Sequence, residues 1–283
     1  MRISVILSAY ERPDLLKLAL LSIGHQTSLA DEVIIIDDGS ERDLAASVRE
    51  YAASLPFASV KHVRQEDRGF RLARSRNNGI REACGDYIVF WDQDVVATRG
   101  YLGLFARHCR PREFLVALPV MMTEQQSGRI GPEMVVLGDY SGVLTGDQVK
   151  GIRRQYIKDM GYYYLGKVLR RNRCRPKLRG GYFGMLREDL LLVDGFDENY
   201  LGWGAEDDDL GRRLYRAGVV GRTVFRDEFP VHLWHPHRTG AEDSPNLPYY
   251  NRRRKEIARG DYHAVNGLSN PLDADVPVVT RLK

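Results

Sequence analysis

The feature that most constrains the fold is a regular alternation of short apolar runs with stretches of helical period. The run ISVILSA at 3–9 predicts a buried strand, and the runs EVIIIDDGS, SVKHVRQ and DYIVFWDQD predict three more. Helices are predicted after the first strand (DLLKLALLSIGHQ), over 41–54 and over 71–84. Alternation at this spacing is typical of parallel strands joined by crossover helices. The predicted fold class is therefore α/β, a Rossmann-like, doubly wound and mainly parallel sheet, which binds ligands beyond the carboxyl ends of its strands.

Size and charge narrow the classes of partner. The 283 residues can bury a substantial core, and the formal net charge is +4. This small excess of positive charge suits an anionic small molecule better than a nucleic acid. We therefore expect no nucleic-acid partner. The three cysteines, Cys84, Cys109 and Cys174, are widely spaced, which argues against a disulfide framework and a zinc cluster.

The sequence also predicts where the protein works. The N-terminal apolar run lacks a cleavage site, and no apolar stretch approaches the roughly 20 residues that span a bilayer. We therefore expect a cytoplasmic protein without a transmembrane segment. Peripheral contact with the inner face of the membrane stays open, because the basic run 252–259 favours a phosphate-bearing lipid.

The second half is less regular. FLVALPVMM at 114–122 predicts one strand, and a helix from 151 leads into a basic loop. The basic composition of 167–179 suggests a lid that closes after ligand binding. The segment after Arg179 is interpreted as a glycine-rich turn, a helix, an aromatic loop and a second helix. The tail from about 240 lacks long periodicity, and no element is predicted there.

Two carboxylates follow the strand YIVFW at spacing i, i+2. Asp92 and Asp94 can share one divalent cation and a nucleotide, since Mg²⁺ and Mn²⁺ prefer hard oxygen ligands and keep coordination sites for diphosphate oxygens. Any acidic turn also makes this pattern, so alone it is weak.

Two further motifs are consistent with a nucleotide. Asp38 ends the second strand and can accept the imide N–H of uracil, although a turn with a helix cap is the simpler interpretation. Arg71, Arg74 and Arg76 lie on the third predicted helix, where an arginine near the Asp92 turn would neutralise a diphosphate. The alternative is a solvated basic face.

The run WGAEDDD at 203–209 places four acids at a predicted helix start. The helix dipole stabilises acids in a first turn, which explains some of them. A carboxylate held there can serve as a general base on a sugar hydroxyl, and Trp203 can stack on a sugar ring.

Three of the seven histidines fall in HLWHPH at 232–237. Neutral imidazole binds Mn²⁺ well beside a carboxylate, so a metal or phosphate role is as plausible as a structural one.

Together, the motifs SVILSAY, IIIDDGS, GFRLARSRNNGI and GDYIVFWDQD resemble the nucleotide-binding half of family 2 glycosyltransferases with the GT-A fold. The stretch GGYFGMLREDLLLVDGFDENYLGWGAEDDDLGRRLYRAG is similar to the acceptor-side segment of β-1,4-galactosyltransferases, chondroitin-polymerase domains and polypeptide GalNAc-transferases. The resemblance covers residues 3–97 and 179–237. It implies an inverting enzyme that moves a sugar from a UDP-sugar (Gal, GalNAc, GlcNAc, Glc or GlcUA type) to an acceptor hydroxyl with Mn²⁺ or Mg²⁺.

The resemblance also implies a role for each matching residue. The implied donor-binding residues are Ser8, Tyr10, Arg12, Asp38, Arg76, Asp92, Gly180 and Gly181. The implied metal ligands are Asp94 and His235, with His232 in reserve, and the implied acceptor-binding residues are Trp203 and Asp208. Asp207 is the implied general base, with Glu206 second. The loop departs from its relatives at Ala205, where they often carry a glycine.

The expected domain organisation is a nucleotide-sugar-binding half over 1–100, an acceptor-binding and catalytic half over 101–240, and a tail over 241–283. The expected acceptor is a saccharide or a lipid-linked saccharide. Since the chain lacks the anchor and disulfides of galactosyltransferases, we expect a role in bacterial surface glycan synthesis.

Other classes are less compatible with the sequence. A nucleotidyltransferase or a dinucleotide oxidoreductase needs glycines after the first strand, where this chain has SAYERPD. A non-catalytic carbohydrate- or nucleotide-binding protein with the same fold stays open, although the intact acids at 92, 94, 206 and 207 favour an enzyme.

Overall fold

The computed structural model describes residues 1–169, 174–236 and 244–283, without the side chain at position 169. Its strands are β1 (Ile3–Ala9), β2 (Glu32–Asp37), β3 (Ser59–Arg64), β4 (Tyr87–Asp92), β5 (Val95–Ala97), β6 (Glu113–Val116), β7 (Val120–Met121), β8 (Tyr182–Leu186), β9 (Val220–Arg222), β10 (Pro230–His232) and β11 (Val278–Arg281). Its helices are α1 (Pro13–Gly24), α2 (Leu44–Ser54), α3 (Leu72–Glu82), α4 (Tyr101–His108), α5 (Glu124–Ser127), α6 (Pro132–Leu137), α7 (Gly146–Leu169), α8 (Arg187–Leu192), α9 (Glu206–Arg216) and α10 (Leu247–Arg259).

The strands form a large sheet of order β11-β3-β2-β1-β4-β8-β6-β9 and a small sheet of order β5-β10-β7. In the large sheet, β3, β2, β1 and β4 run parallel. Each of the first three crossovers carries one helix, as the alternation of apolar runs predicts. Apolar side chains pack on both faces of the sheet, in two clusters. The predicted α/β class with a mainly parallel sheet is confirmed.

The parallel register explains why the acids meet at one edge. Ser8 of β1 pairs with Asp92 of β4, and Ala9 pairs with Asp37 of β2. Because parallel strands end at the same edge, the residues that follow β1, β2 and β4 lie together at their carboxyl ends.

The glycine-rich turn predicted after Arg179 extends into a strand. β8 runs antiparallel to both β4 and β6 in the middle of the large sheet. Both faces of β8 are covered, so its sequence does not alternate between apolar and polar residues. Gly184 in this strand is required by packing, since a β-carbon there would lie 2.7 Å from a ring carbon of Tyr87.

The strand predicted over 114–122 is two strands in different sheets. β6 belongs to the large sheet and β7 to the small one. Pro119 lies between them and cannot donate to a ladder, which accounts for the break.

The C-terminal tail contains two elements that the sequence analysis did not predict. The charged helix α10 buries Tyr250, Arg253 and Ile257, so arginine holds a position that a hydrophobic pattern would assign to an apolar residue. The edge strand β11 pairs antiparallel with β3, and three of its four residues are exposed. The domain boundaries at 100 and 240 stay predictions, although strands from all three segments share the large sheet.

In the part of the chain that the structure describes, no helix is both long and apolar enough to span a bilayer. The predicted lid over 167–179 falls partly on 170–173, which lie outside the described residues. The lid therefore stays a hypothesis.

Candidate active site

Asp92 lies at the carboxyl end of β4 and forms an ion pair with Arg76 of α3. The carboxylate Oδ1 lies 3.3 Å from a guanidinium nitrogen of Arg76. Burial raises the pKa of Asp92, and the positive charge of Arg76 opposes that rise. A largely buried carboxylate thus lies beside a fully buried cation.

Asp94, directly before β5, meets His232 at the end of β10 and His235 just beyond that strand. β10 pairs antiparallel with β5, which places His232 opposite Val95. His235 Nε2 lies 2.9 Å from Asp94 Oδ2, and His232 Nε2 lies 3.6 Å from Asp94 Oδ1. Although burial acts to raise the pKa of Asp94, the hydrogen bond with His235 and the nearby imidazoles hold it below its usual value.

This cluster has the composition of a metal site. One ligand atom from each of Asp94, His232 and His235 can be chosen so that all three lie within 4.8 Å of one another. Asp94 Oδ1 is buried and accepts no hydrogen bond within the described ranges. A carboxylate with two imidazoles fits Mn²⁺ or a similar divalent ion. His237, the third histidine of the motif, lies outside the described residues.

Gly180 and Gly181 lie between two of the acids. A β-carbon at Gly181 would lie 2.5 Å from Cγ of Asp92. Gly180, with φ +43°, donates its backbone N–H to Asp207 Oδ2 at 2.8 Å. The two glycines therefore join the carboxyl end of β4 to the start of α9.

The two acids predicted for catalysis have different surroundings. Glu206 is buried against Arg76, with 3.4 Å between Oε1 and the guanidinium. Burial, followed by the charge of Asp207, raises the pKa of Glu206 to about 7. Asp207 is half-buried, and the backbone N–H groups of Gly180 and Asp208 hold both of its oxygens. Asp207 is therefore the more accessible and more rigidly held of the two.

The loop that carries Trp203 has a left-handed backbone at Gly202, Gly204 and Ala205, with φ of 80°, 98° and 76°. The Trp203 side chain is 63% exposed. Ser244 Oγ donates to the Trp203 carbonyl at 2.7 Å. The indole is thus available to a ligand although its backbone is fixed.

A small cavity beside the end of β2 is lined by Tyr10, Asp38, Asp67, Gly69 and Phe70. Burial raises the pKa of Asp38 to about 6. The hydrogen bond that its carboxylate accepts from the backbone N–H of Arg71 acts in the opposite direction and lowers the pKa. This cavity contains two of the residues expected around a nucleotide base, Tyr10 and Asp38.

Arg12 lies in a different cavity. It lines an open cavity of about 410 Å³ together with Arg42, Trp234 and His235. Ser8, by contrast, lies beside Asp92 in the sheet register. The structure therefore brings Ser8 into the site and separates Arg12 from the cavity at Asp38.

Asp208 is held by the side chains of Tyr250, Lys177 and Arg212 rather than by the glycines. Its carboxylate accepts a hydrogen bond from Tyr250 and forms ion pairs with Lys177 at 3.4 Å and Arg212 at 3.3 Å. With these partners it anchors α9 to α10, and nothing in this arrangement supports the predicted contact with an acceptor.

Two other arginines, Arg71 directly before α3 and Arg74 within it, have side chains engaged elsewhere. Arg71 pairs with Asp273 at 3.0 Å, and Arg74 pairs with the buried Glu198 at 2.9 Å. Of the three arginines considered for a diphosphate, Arg76 is the one that lies among the acids of the site.

Several residues of the site were missed by the sequence analysis. Gln93, between the two aspartates, accepts from the Tyr10 N–H at 3.0 Å and donates to the Tyr10 carbonyl at 2.8 Å. Tyr182 is buried beside Asp92 and Gly180, and Asn246 donates to the Gly204 carbonyl at 2.9 Å. Tyr182 could have been found from its position directly after the glycine pair, whereas no local signal marks Asn246.

Known proteins share the sequence pattern and the fold of this chain. The model of Glycosyl transferase family 2 matches residues 4–172, and the model described as the N-terminal domain of galactosyltransferase matches residues 167–235. A chondroitin synthase of Escherichia coli is 25% identical over 280 residues, which cover 90% of this chain and 40% of that protein. A validoxylamine A glucosyltransferase of Streptomyces hygroscopicus subsp. jinggangensis is 30% identical over 245 residues, 82% of this chain and 56% of that protein. The chain thus spans about half the length of these relatives.

Solved structures share the fold. GalNAc-T7, crystallised with UDP, GalNAc and Mn²⁺, superposes with a TM-score of 0.61 at 17% identity, over 90% of this chain and 48% of that one. S. aureus TarS 1-349 in complex with UDP-GlcNAc superposes with a TM-score of 0.57 at 15% identity. The match covers 95% of this chain and 69% of that one. The predicted GT-A fold and the predicted glycosyltransferase class are confirmed. Since the family model covers more than half of the sequence, the chain belongs to glycosyl transferase family 2.

Proposed function

We propose that the protein is an inverting, metal-dependent hexosyltransferase that moves a sugar from a UDP-sugar to an acceptor hydroxyl. The observation that carries the proposal is the Gly180–Gly181 segment, which contacts Asp92 on one side and is hydrogen-bonded to Asp207 on the other. In this proposal the donor sugar lies against these glycines, between the nucleotide-binding acids and a candidate base. Relatives named as chondroitin synthase and glucosyltransferase support the reaction class.

In this proposal Asp94, His232 and His235 hold a divalent cation, Mn²⁺ or Mg²⁺. When bound, the ion neutralises the negative charge of the diphosphate and stabilises it as a leaving group. The fit of the donor set and the buried, unsatisfied Asp94 Oδ1 support this assignment. The neighbour crystallised with UDP and Mn²⁺ adds support from the fold.

Uridine recognition is assigned to the residues around Asp38, whose cavity of about 20 Å³ has to widen to admit a base. Tyr10 and Phe70 offer aromatic surface to a base, and the Asp38 carboxylate lies in the same cavity. Ser8 of β1 and Asp92 of β4 are neighbours across the sheet, and we assign them to the ribose that is attached to the base. The neighbour in complex with UDP-GlcNAc supports a uridine donor.

Asp207 is the proposed general base. The backbone N–H groups of Gly180 and Asp208 hold its two oxygens in place, and a carboxylate so positioned can accept the proton of the attacking hydroxyl. Arg76 is 1% exposed and lies between Asp92 and Glu206, so its proposed role is to position those two carboxylates. Trp203 is the proposed platform for the acceptor sugar.

We extend the proposal to a saccharide or lipid-linked saccharide acceptor in bacterial surface glycan synthesis. The relatives named chondroitin synthase and hyaluronan synthase support a saccharide acceptor. The sugar itself stays open among the Gal, GalNAc, GlcNAc, Glc and GlcUA types.

The test is a screen of UDP-sugars against mono- and disaccharide acceptors, with Mn²⁺ or with EDTA. We expect one donor to react in Mn²⁺ only, and the NMR coupling of the anomeric proton to show inverted configuration. Asp207→Asn is expected to lose at least about 100-fold in kcat while it still binds UDP. Asp227→Asn, an exposed surface change, is the matched control.

Two outcomes would contradict the proposal. Retained configuration would rule out a single displacement. UDP binding without turnover of any donor, in the wild type and with every acceptor, would instead favour the binding-only protein.

A further inference from the structure

The helix α7 presents an exposed face to solvent. Ile157, Tyr164 and Val168 are 69%, 60% and 78% exposed, and Leu165 is 42% exposed. Residues 157, 164 and 168 are seven and four positions apart, so their side chains project from one side of the helix. The opposite side packs on the protein through Ile152 and Tyr163.

Basic side chains flank this apolar stripe. Lys150, Arg153, Arg154 and Lys158 are all exposed on the same helix. Arg154 and Lys158 form no ion pair within the described residues, whereas Arg153 lies 3.9 Å from the exposed Asp227.

Acids are scarce on the exposed side. α7 contains two acids, Asp147 and Asp159. Asp159 is buried, and Asp147 lies 3.8 Å from Lys150 at the start of the helix. The exposed face of α7 therefore combines apolar side chains with an uncompensated excess of positive charge.

We propose that this face of α7 docks the protein on an anionic membrane surface. A helix with exposed aromatic and aliphatic side chains beside Lys and Arg inserts its apolar residues at the headgroup boundary, and its cations pair with lipid phosphates. A symmetric contact with a second copy would bury the apolar stripe but would offer few acids to the cations, because α7 contributes none beyond Asp147. Charge complementarity thus favours the lipid surface.

The experiment is co-sedimentation of the full chain with phosphatidylcholine vesicles, with and without about 30 mol% phosphatidylglycerol. We expect binding to the anionic vesicles, weak binding to pure phosphatidylcholine, and loss of binding as salt is raised. The double variant Tyr164→Ser/Val168→Ser should lower the partition coefficient by about tenfold or more. Arg154→Glu/Lys158→Glu should do the same through charge alone.

Val276→Ser is the matched control, since Val276 is 81% exposed but lies in the C-terminal segment. It should bind vesicles as the wild type does. Circular dichroism and thermal unfolding should be the same for all these variants, and UDP binding without vesicles should be unchanged, which separates this inference from the proposed function.

The proposal would be overturned if wild-type protein stays in the supernatant with anionic vesicles, or if both α7 variants bind as well as the wild type does. A sedimentation coefficient that drops from dimer to monomer on Tyr164→Ser/Val168→Ser, without vesicle binding, would assign the face to a second copy instead.

Discussion

Gly181 and Asp92 pack so closely that a β-carbon at position 181 would lie 2.6 Å from Asp92 Oδ1 and 2.7 Å from the backbone nitrogen of Asp92. Asp92 belongs to β4, and Gly181 directly precedes β8, so both backbones are held by the large sheet. Neither backbone can shift easily to make room for a β-carbon. Position 181 therefore requires glycine because a side chain would collide with Asp92, and not because of the backbone conformation of Gly181.

Gly181→Ala should displace Asp92 and lower donor affinity by about tenfold or more, since a shift of about 1 Å is costly in a preorganised site. Affinity for UDP in Mn²⁺ measures the effect. Gly142→Ala is the control, because a β-carbon at Gly142 meets nothing within 4 Å. Equal affinities in the two variants would contradict the assignment of Asp92 to the donor site.

Gln93 fixes the backbone of Tyr10 through both of its amide atoms. Gln93→Glu replaces the donor to the Tyr10 carbonyl with a second acceptor, so we expect Tyr10 to move and the donor KM to rise about tenfold, with kcat changed less. Steady-state kinetics separates the two constants. Gln125→Glu, on an exposed helix, should alter neither. A fall in kcat with an unchanged KM would argue against a positioning role.

Glu206 makes stability depend on pH. Its pKa of about 7 lies above the ordinary 4.5, because burial and then the charge of Asp207 favour the protonated form. A raised pKa contributes stability that is fully present below about pH 4.5 and is lost as the pH rises to about 7. The free energy of unfolding of the wild type should therefore fall across that interval, relative to Glu206→Gln, by on the order of 1–3 kcal/mol. Urea titrations at several pH values measure it, and a constant difference would refute the assignment.

Ala205 carries strain that a glycine would relieve. Its φ of 76° is a left-handed conformation, which costs a residue with a β-carbon roughly 1–2 kcal/mol. Ala205→Gly should raise the free energy of unfolding by about 1 kcal/mol and Tm by ~2–4 °C. Ala217→Gly, at the other end of α9 with φ −77°, should lower both quantities. A Tm that falls in both variants would show that Ala205 is not strained.

The first half of the fold was predictable from particular residues. The run ISVILSA gives β1 with its observed bounds, and the apolar runs before Asp37 and Asp92 give β2 and β4 within a few residues. These strands are buried on both faces and flanked by helices of clear period, so local pattern and tertiary packing agree there. The grouping of acids at one edge follows from parallel topology alone.

The second half required tertiary information. β8 is short and glycine-containing, and its position in the sheet depends on strands nearly a hundred residues away. α10 buries Arg253 with the help of Glu256 and Asp261, which a hydrophobic pattern does not reveal.

Within the candidate site, the resemblance to known glycosyltransferases indicated residues that the structure brings together, including Asp94, His232 and His235. It did not anticipate the partners of Asp208 or the separate cavity of Arg12. Asp208 pairs with Lys177, and Arg12 shares its cavity with Trp234. Both partners are remote in sequence, so no local pattern reveals them.

The most direct test of the proposed metal and donor sites is a calorimetric titration of UDP, GDP and TDP into the full chain, with Mn²⁺ or with EDTA, on the wild type and on Asp94→Ala. We expect UDP to bind selectively, EDTA to weaken its binding, and Asp94→Ala to weaken it in the presence of Mn²⁺ to the level seen with EDTA. A UDP affinity that neither EDTA nor the substitution changes would contradict the metal site, and an absence of UDP binding would contradict the proposed donor.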